Sequence, residues 1–365
     1  MFGLEDAVFS EILSTMQQSC PRIRNRIWSN AIAILVCLGL LVEPALSEAN
    51  HFALIVSGAS GDEEFREKFW KWSTQLVAIL QTELRFPRDH VSFLTEDPER
   101  ALEQEGLKAT KIQLHESLDR LRQQLKKEDL VLILLLGHAS YDGGEYKFNL
   151  VGPDITGSEL KSWLEPFSSH QLVLIVATPC SGILVKQLAD RNRILITATK
   201  SEFETNNIIF PEFLVEALKQ RNADSDKNSR VSILEAFRYA SQMTASWYKG
   251  QGLLATEHPL IEDTGNQSAV SDLSPANGDG LLAARIYLDY PVHAADPEKP
   301  KATVNPEVEF LRERRRQVEE SIQRLKYQKS TLAETEYVRQ LEDLLIQLAQ
   351  TNQKLRQAEK KNDYP

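Results

Sequence analysis

The chain has 365 residues, 42% of them hydrophobic, which is material for one substantial core and an appended element. Its formal charge of −10 argues against a nucleic-acid-binding role, which needs a basic face. Of three cysteines, Cys20 and Cys37 fall in the first 49 residues, so the rest of the chain holds only Cys180 and no internal disulfide.

In chain order, Arg22, Arg24 and Arg26 precede an apolar run, Ala31 to Val42, and then Ser47-Glu48-Ala49. Basic, apolar and small-residue regions in that order predict a secretory signal over 1–49, with Met16 available as a start, and export to a periplasm or the exterior. Left uncleaved, the same segment predicts a membrane anchor, although the run is short for a bilayer. Removing it takes away three Lys/Arg and five Asp/Glu, leaving 39 basic against 47 acidic groups, net −8.

Phe52-Ala-Leu-Ile-Val-Ser-Gly reads as a first strand entering a Gly/Ser turn. Phe65, Phe69, Trp72, Leu76 and Ile79 then recur at helical spacing until Phe86-Pro87 breaks it. His90 to Thr95 is a second strand, 97–108 a polar surface loop, and Leu114, Leu118, Leu121 and Leu125 mark a second helix. The runs 130–136 and 172–177 are apolar throughout and are closed by Gly137 and by Thr178-Pro179, as strands buried on both faces are. Between them, Asp142-Gly143-Gly144 predicts a turn, Tyr146 to Leu150 a small hairpin arm, and Gly157 to Phe167 a helix. Helices over Ile183–Ala189, Phe210–Lys219 and Val231–Tyr248, a strand from Arg193, a loop over 263–280 and a closing strand Leu281–Leu288 complete the alternation. The fold class is α/β, a mostly parallel sheet with helices on both faces, over residues 50–290. A Pro-rich linker, 291–306, leads to two heptad runs, Leu311, Val318, Leu325, Leu332 and Leu341, Leu348, Leu355. Their break in phase at Leu332–Leu341 predicts an α-helical hairpin over 307–365, which either packs on the core or joins copies in a homo-oligomer.

Ligands of parallel sheets sit beyond the carboxyl ends of the strands. His138 and Cys180 stand at two such ends, an imidazole and a thiol with the chemistry of a nucleophilic dyad. Gly137-His138, Cys180-Ser181-Gly182 and the turn Ser57 to Arg66 together resemble the legumain and caspase superfamily of cysteine peptidases over residues 52 to about 290. The resemblance implies a caspase/legumain-like sheet and an endopeptidase acting on peptide or protein substrates. His138 would be its general acid/base and Cys180 its nucleophile, with no catalytic cofactor. By the same resemblance Arg66 falls at an arginine of the pocket for the substrate's P1 side chain, and Glu64 replaces an Asn that assists the histidine.

Two departures stand beside it. Ala139 replaces a glycine that serves the oxyanion. Cys180 directly precedes Ser181-Gly182, where the superfamily leaves one residue between, so strict register puts Pro179 in the nucleophile's place. Cys180 also reads as a small core residue, His138 as a structural histidine and Arg66 as a solvated charge. Two functions therefore stand open, a thiol peptidase and an inactive relative serving as a binding or scaffolding module.

Asp224, Asp226, Asn228, Arg230 (through its carbonyl), Ser232 and Glu235 follow the alternate-position pattern of a calcium loop closed by Glu at the twelfth place, with Ser229 where Gly is usual. The pattern predicts structural calcium; a capped helix–helix turn is the other reading.

Overall fold

The computed structural model describes residues 49–219, 223–228, 230–273, 278–289, 306–327, 329 and 332–362. Apart from Ala49 and Pro306, the expected signal and linker lie outside them. The chain divides between Ser47 and Glu48 into two units, and the second carries the fold.

A seven-stranded sheet runs in the order β3-β2-β1-β4-β8-β9-β10. Its strands are β1 (His51–Ser57), β2 (Val91–Thr95), β3 (Leu107–Lys108), β4 (Leu130–Leu136), β8 (Gln171–Ala177), β9 (Arg193–Thr197) and β10 (Leu260–Glu262). All pair in parallel except β10, which lies antiparallel on β9. The register aligns Ser57 with Leu136 and Leu136 with Ala177, so three central strands end side by side. A small antiparallel sheet, β5 (Ala139–Tyr141), β6 (Tyr146–Phe148) and β7 (Ile155–Thr156), follows β4. It extends the expected hairpin arm by one strand.

Strand alternation sends Leu132, Leu134 and Leu136 to one core cluster and Val131, Ile133 and Leu135 to another. The first is covered by α1 (Glu63–Thr82), α5 (Phe210–Lys219) and α6 (Ile233–Gly250). The second is covered by α2 (Lys111–Gln124), α3 (Gly157–Leu164), α4 (Val185–Leu188) and the small sheet. Helix starts follow local chemistry: Asp62 accepts the Phe65 amide, and Thr156–Glu159 and Ser232–Glu235 form capping boxes.

Two expectations are corrected. Residues 281–288 fold as turns with one bridge, Ser232 to Tyr287, and the closing strand is β10. The stretch 97–108 is a 3-10 helix, Pro98–Gln104, followed by β3. At the C-terminus, α7 (Pro306–Tyr327) and α8 (Glu334–Asn362) form an antiparallel pair, with Val308 and Leu311 buried against Leu355 and Ala358. No helix among the described residues is long and apolar enough to cross a membrane.

Candidate functional site

His138 leaves the sheet two residues beyond β4. Its Nε2–H donates to the Ser60 carbonyl at 3.0 Å, so in the neutral ring Nδ1 is the acceptor. The ring packs edge-on against Phe65 and Phe69 of α1, at centroid distances of 4.7 and 5.1 Å. It therefore belongs to the α1 face. The neighbouring backbones are close: a Cβ on Gly58 would meet the Asn149 carbonyl oxygen at 2.3 Å, so only glycine lets β1 pass there.

Cys180 turns the other way. It is fully buried, within the cluster that holds Tyr146, Phe148 and Leu184 on the opposite face of the sheet. Its backbone is left-handed, φ +57°, and its N–H donates to the Glu204 carbonyl at 2.9 Å. Burial and the charge of Glu202 push the thiol up, opposed by a bond from the Tyr141 amide, whereas a nucleophilic thiol needs its pKa lowered. Ser181 and Gly182 have structural work of their own. The Ser181 and Thr199 hydroxyls lie 3.0 Å apart, and the Thr199 and Gly182 amides donate to the two hydroxyls at 3.2 Å each. The imidazole and thiol stand at neighbouring strand ends, as the strand order requires, and on opposite faces.

Arg66 lies on the exposed side of α1, paired with Glu63 at 2.7 Å, and Glu64 pairs with Lys68 at 2.6 Å. The crevice that Arg66 shares with Ser60, Glu96, Asp97 and Arg100 measures about 10 Å³, room for one water at most. Ser60 bonds Glu96 through both its amide and its hydroxyl. Arg100 is held by Glu67 at 2.7 Å and stacks on Trp70 at 4.6 Å. A cavity of about 290 Å³ opens at the amino ends of β1 and β2, lined by Phe52, Arg88, His90, Phe93 and Arg120. That is the end of the sheet away from His138 and Cys180.

In the 224–235 loop, Asp224, Asp226 and Glu235 bring one oxygen each within 4.8 Å of one another. Burial and Glu235 push Asp226 up. The Asn228 amide donates to Asp224 and Asp226, at 3.0 and 3.1 Å. Glu235 accepts from the Ser225 and Asp226 amides on one oxygen and from the Ser232 amide on the other. The Arg230 guanidinium leaves the loop for a bidentate bond to Asp289 over the Tyr287 ring. Three carboxylates thus converge, while Asn228 Oδ1 accepts the Arg230 amide and the Ser232 hydroxyl serves as the N-cap of α6.

Sequence reasoning missed a cluster beyond β9: the buried carboxylates Glu204 and Glu257 and the partly exposed His258. No periodicity marks it, since Glu204 lies in a polar stretch and meets His258 only across 54 residues.

No family model matches the sequence, and no curated protein matches it. Among solved structures, protein GSU0716 from Geobacter sulfurreducens matches 58% of this chain and 92% of its own, with 14% identity and a TM-score of 0.39. Similarity at that level carries no functional argument.

Proposed function

We propose that this chain is a catalytically silent relative of the caspase and legumain peptidases, keeping the α/β sheet as a binding and scaffolding module. The observation that carries this reading is Cys180, buried on the face of the sheet opposite the one where His138 packs on Phe65 and Phe69. A working thiol nucleophile must be partly exposed, within reach of the imidazole and beside oxyanion donors. Here the Cys180 amide is committed to Glu204, and Pro179, in the superfamily's nucleophile position, has no amide to give. The left-handed backbone at Cys180 costs about 1 kcal/mol for a residue with a Cβ. Burial of the side chain in an apolar cluster and the bond to Glu204 offset that cost. Arg66, exposed and paired on its own helix, supports a solvated role better than a P1 pocket.

In this reading the helical hairpin supplies contacts between copies, and calcium in the 224–235 loop is structural. The test is an irreversible thiol-directed peptidyl probe applied to the native protein, Cys180→Ala and His138→Ala. No labelling of native protein and no cleavage of a peptide library are expected, with the thiol reacting only after unfolding. Labelling that needs both Cys180 and His138, with cleavage lost in both variants, would establish the peptidase instead.

A further inference from the structure

The main sheet is incomplete along its β3 edge. β3 pairs with β2 only at Leu94–Leu107 and Thr95–Lys108, so among the described residues no strand lies opposite Val91, Ser92 and Phe93 on that side. The Thr95 carbonyl accepts the Ala109 amide, and residues two apart on a strand turn their main-chain groups the same way. The Phe93 amide and the Val91 carbonyl therefore face the gap. The Val91 amide is already held by the Arg88 carbonyl. β3 does not extend backwards to fill the gap, because the chain before it turns away at Glu105, φ +53°, and the Gly106 amide bonds the Ala101 carbonyl at 3.0 Å.

This gap is one wall of the cavity of about 290 Å³ at the amino ends of β1 and β2. Three strand residues span about 10 Å, so the cavity has the length of a short extended segment. Ser92 pairs with Leu54 and so faces the side of the sheet that carries Phe52 and Leu121, whereas Val91 and Phe93 face the α1 side, where Gln81 joins the lining. The charges are unevenly placed. Arg88 and Asp89 stand together just before β2, and Arg120 joins them from α2, but the stretch just before β3 brings only acids, Glu103 and Glu105. A phosphate or other polyanion would meet these carboxylates, which argues against it as the occupant.

We propose that this gap binds the amino-terminal end of an extended peptide from another molecule, which adds to the sheet as a short strand antiparallel to β2. Its first residue lies opposite Phe93 and accepts the Phe93 amide; its third lies opposite Val91 and donates to the Val91 carbonyl, as in strand addition at a sheet edge. The occupant is a chain end because β3 holds the line of the added strand beyond Leu94. Its ammonium falls on the side of Glu103 and Glu105, which sets the direction; run the other way, a terminal carboxylate would meet those acids. The second side chain, opposite Ser92, turns to Phe52 and Leu121 and is therefore apolar. The site lies at the end of the sheet away from His138 and Cys180 and does not depend on whether that end is catalytically silent.

The test is a library of pentapeptides with free amino ends, randomised at every position and screened on the full chain. Binders should carry an apolar second residue and lose roughly tenfold in affinity when remade with an acetylated amino end. Glu103→Gln combined with Glu105→Gln should weaken the free-amine peptides by a similar factor and leave the acetylated ones unchanged. With a binder present, the Phe93 amide should shift in the nitrogen–proton correlation spectrum and exchange more slowly, while the Ser181 and Gly182 amides stay as they were. No binder in the library, affinity indifferent to acetylation, or a Phe93 amide that does not respond overturns the proposal. Shifts at Ser181 and Gly182 without one at Phe93 would place the peptide at the Cys180 end and overturn it equally.

Discussion

Gly182 lies flat against the Lys200–Ser201 peptide: a Cβ in its place would come within 2.2 Å of the Lys200 carbonyl carbon and 2.3 Å of the Ser201 nitrogen. That contact joins the turn after β8 to the loop after β9, with the Ser181–Thr199 hydroxyl pair alongside. The obstacle is main chain, which cannot rotate away as a side chain could. Gly182→Ala is expected to destabilise by about 2–4 kcal/mol, whereas Ser181→Ala should cost about 1–2 kcal/mol. Denaturant midpoints decide it; a Gly182→Ala loss below that of Ser181→Ala would mean the loop simply yields.

This close approach explains what was legible in the sequence and what was not. The runs Leu130–Leu136 and Leu172–Ala177 are apolar on both faces, so they declare central strands without any partner being known. Cys180-Ser181-Gly182 could be placed just beyond a strand end, after Pro179. The side on which its thiol falls could not, because the left-handed φ of Cys180 accompanies bonds to Glu204 and Thr199, distant in sequence. The same holds for Leu281–Leu288, apolar enough for a strand. It folds as turns because the buried Asp263 carboxylate takes the Gly280 and Ala283 amides, at 2.7 and 2.9 Å. Local patterns report burial; they do not report which distant carboxylate will cap a segment.

Asp279 gives a pH prediction for the whole fold. It is 1% exposed, and burial, with the charges of Asp263 and Glu262, pushes it up to about 6. Its folded pKa exceeds the ordinary 3.8, so its stabilising contribution is complete below that value and is lost as pH rises through about 6. Asp279→Asn is therefore expected to raise Tm by a few °C at pH 8 and by much less at pH 4. Equal shifts at both values would show that the charge is not responsible.

Calcium at millimolar concentration is expected to raise Tm. Asp224, Asp226 and Glu235 converge, but both Glu235 oxygens already accept amides from Ser225, Asp226 and Ser232, so an ion must compete with these bonds. Binding should therefore fall in the range of extracellular calcium sites, about 10⁻⁴–10⁻³ M, and at tenfold excess over Kd add about 1.4 kcal/mol. Asp226→Asn removes one charge at the centre of the trio and should weaken the effect. A Tm indifferent to calcium would leave a capped turn and no site.

The C-terminal hairpin is expected to join copies of the chain. Its inner seam is filled: Val308, Leu311, Val318, Ile322 and Leu325 of α7 and Leu355 and Ala358 of α8 are all buried. Outside that seam, Phe310 remains 69% exposed, Val338 52%, Leu345 49% and Ile346 48%. Val338 and Leu345 are one heptad apart, so they share one face of α8, and Ile346 widens it. Apolar side chains repeated along one helix face point to a further helix as the partner, in contrast to apolar residues scattered singly over a surface. Sedimentation should give the full-length protein a multiple of the mass of one chain, and a chain truncated after Asp289 the mass of a monomer. Leu345→Glu with Ile346→Glu should also yield a monomer, with the helical signal of the full-length protein retained, because neither side chain lies in the inner seam. If the full-length chain is itself a monomer, the hairpin serves only packing within the chain.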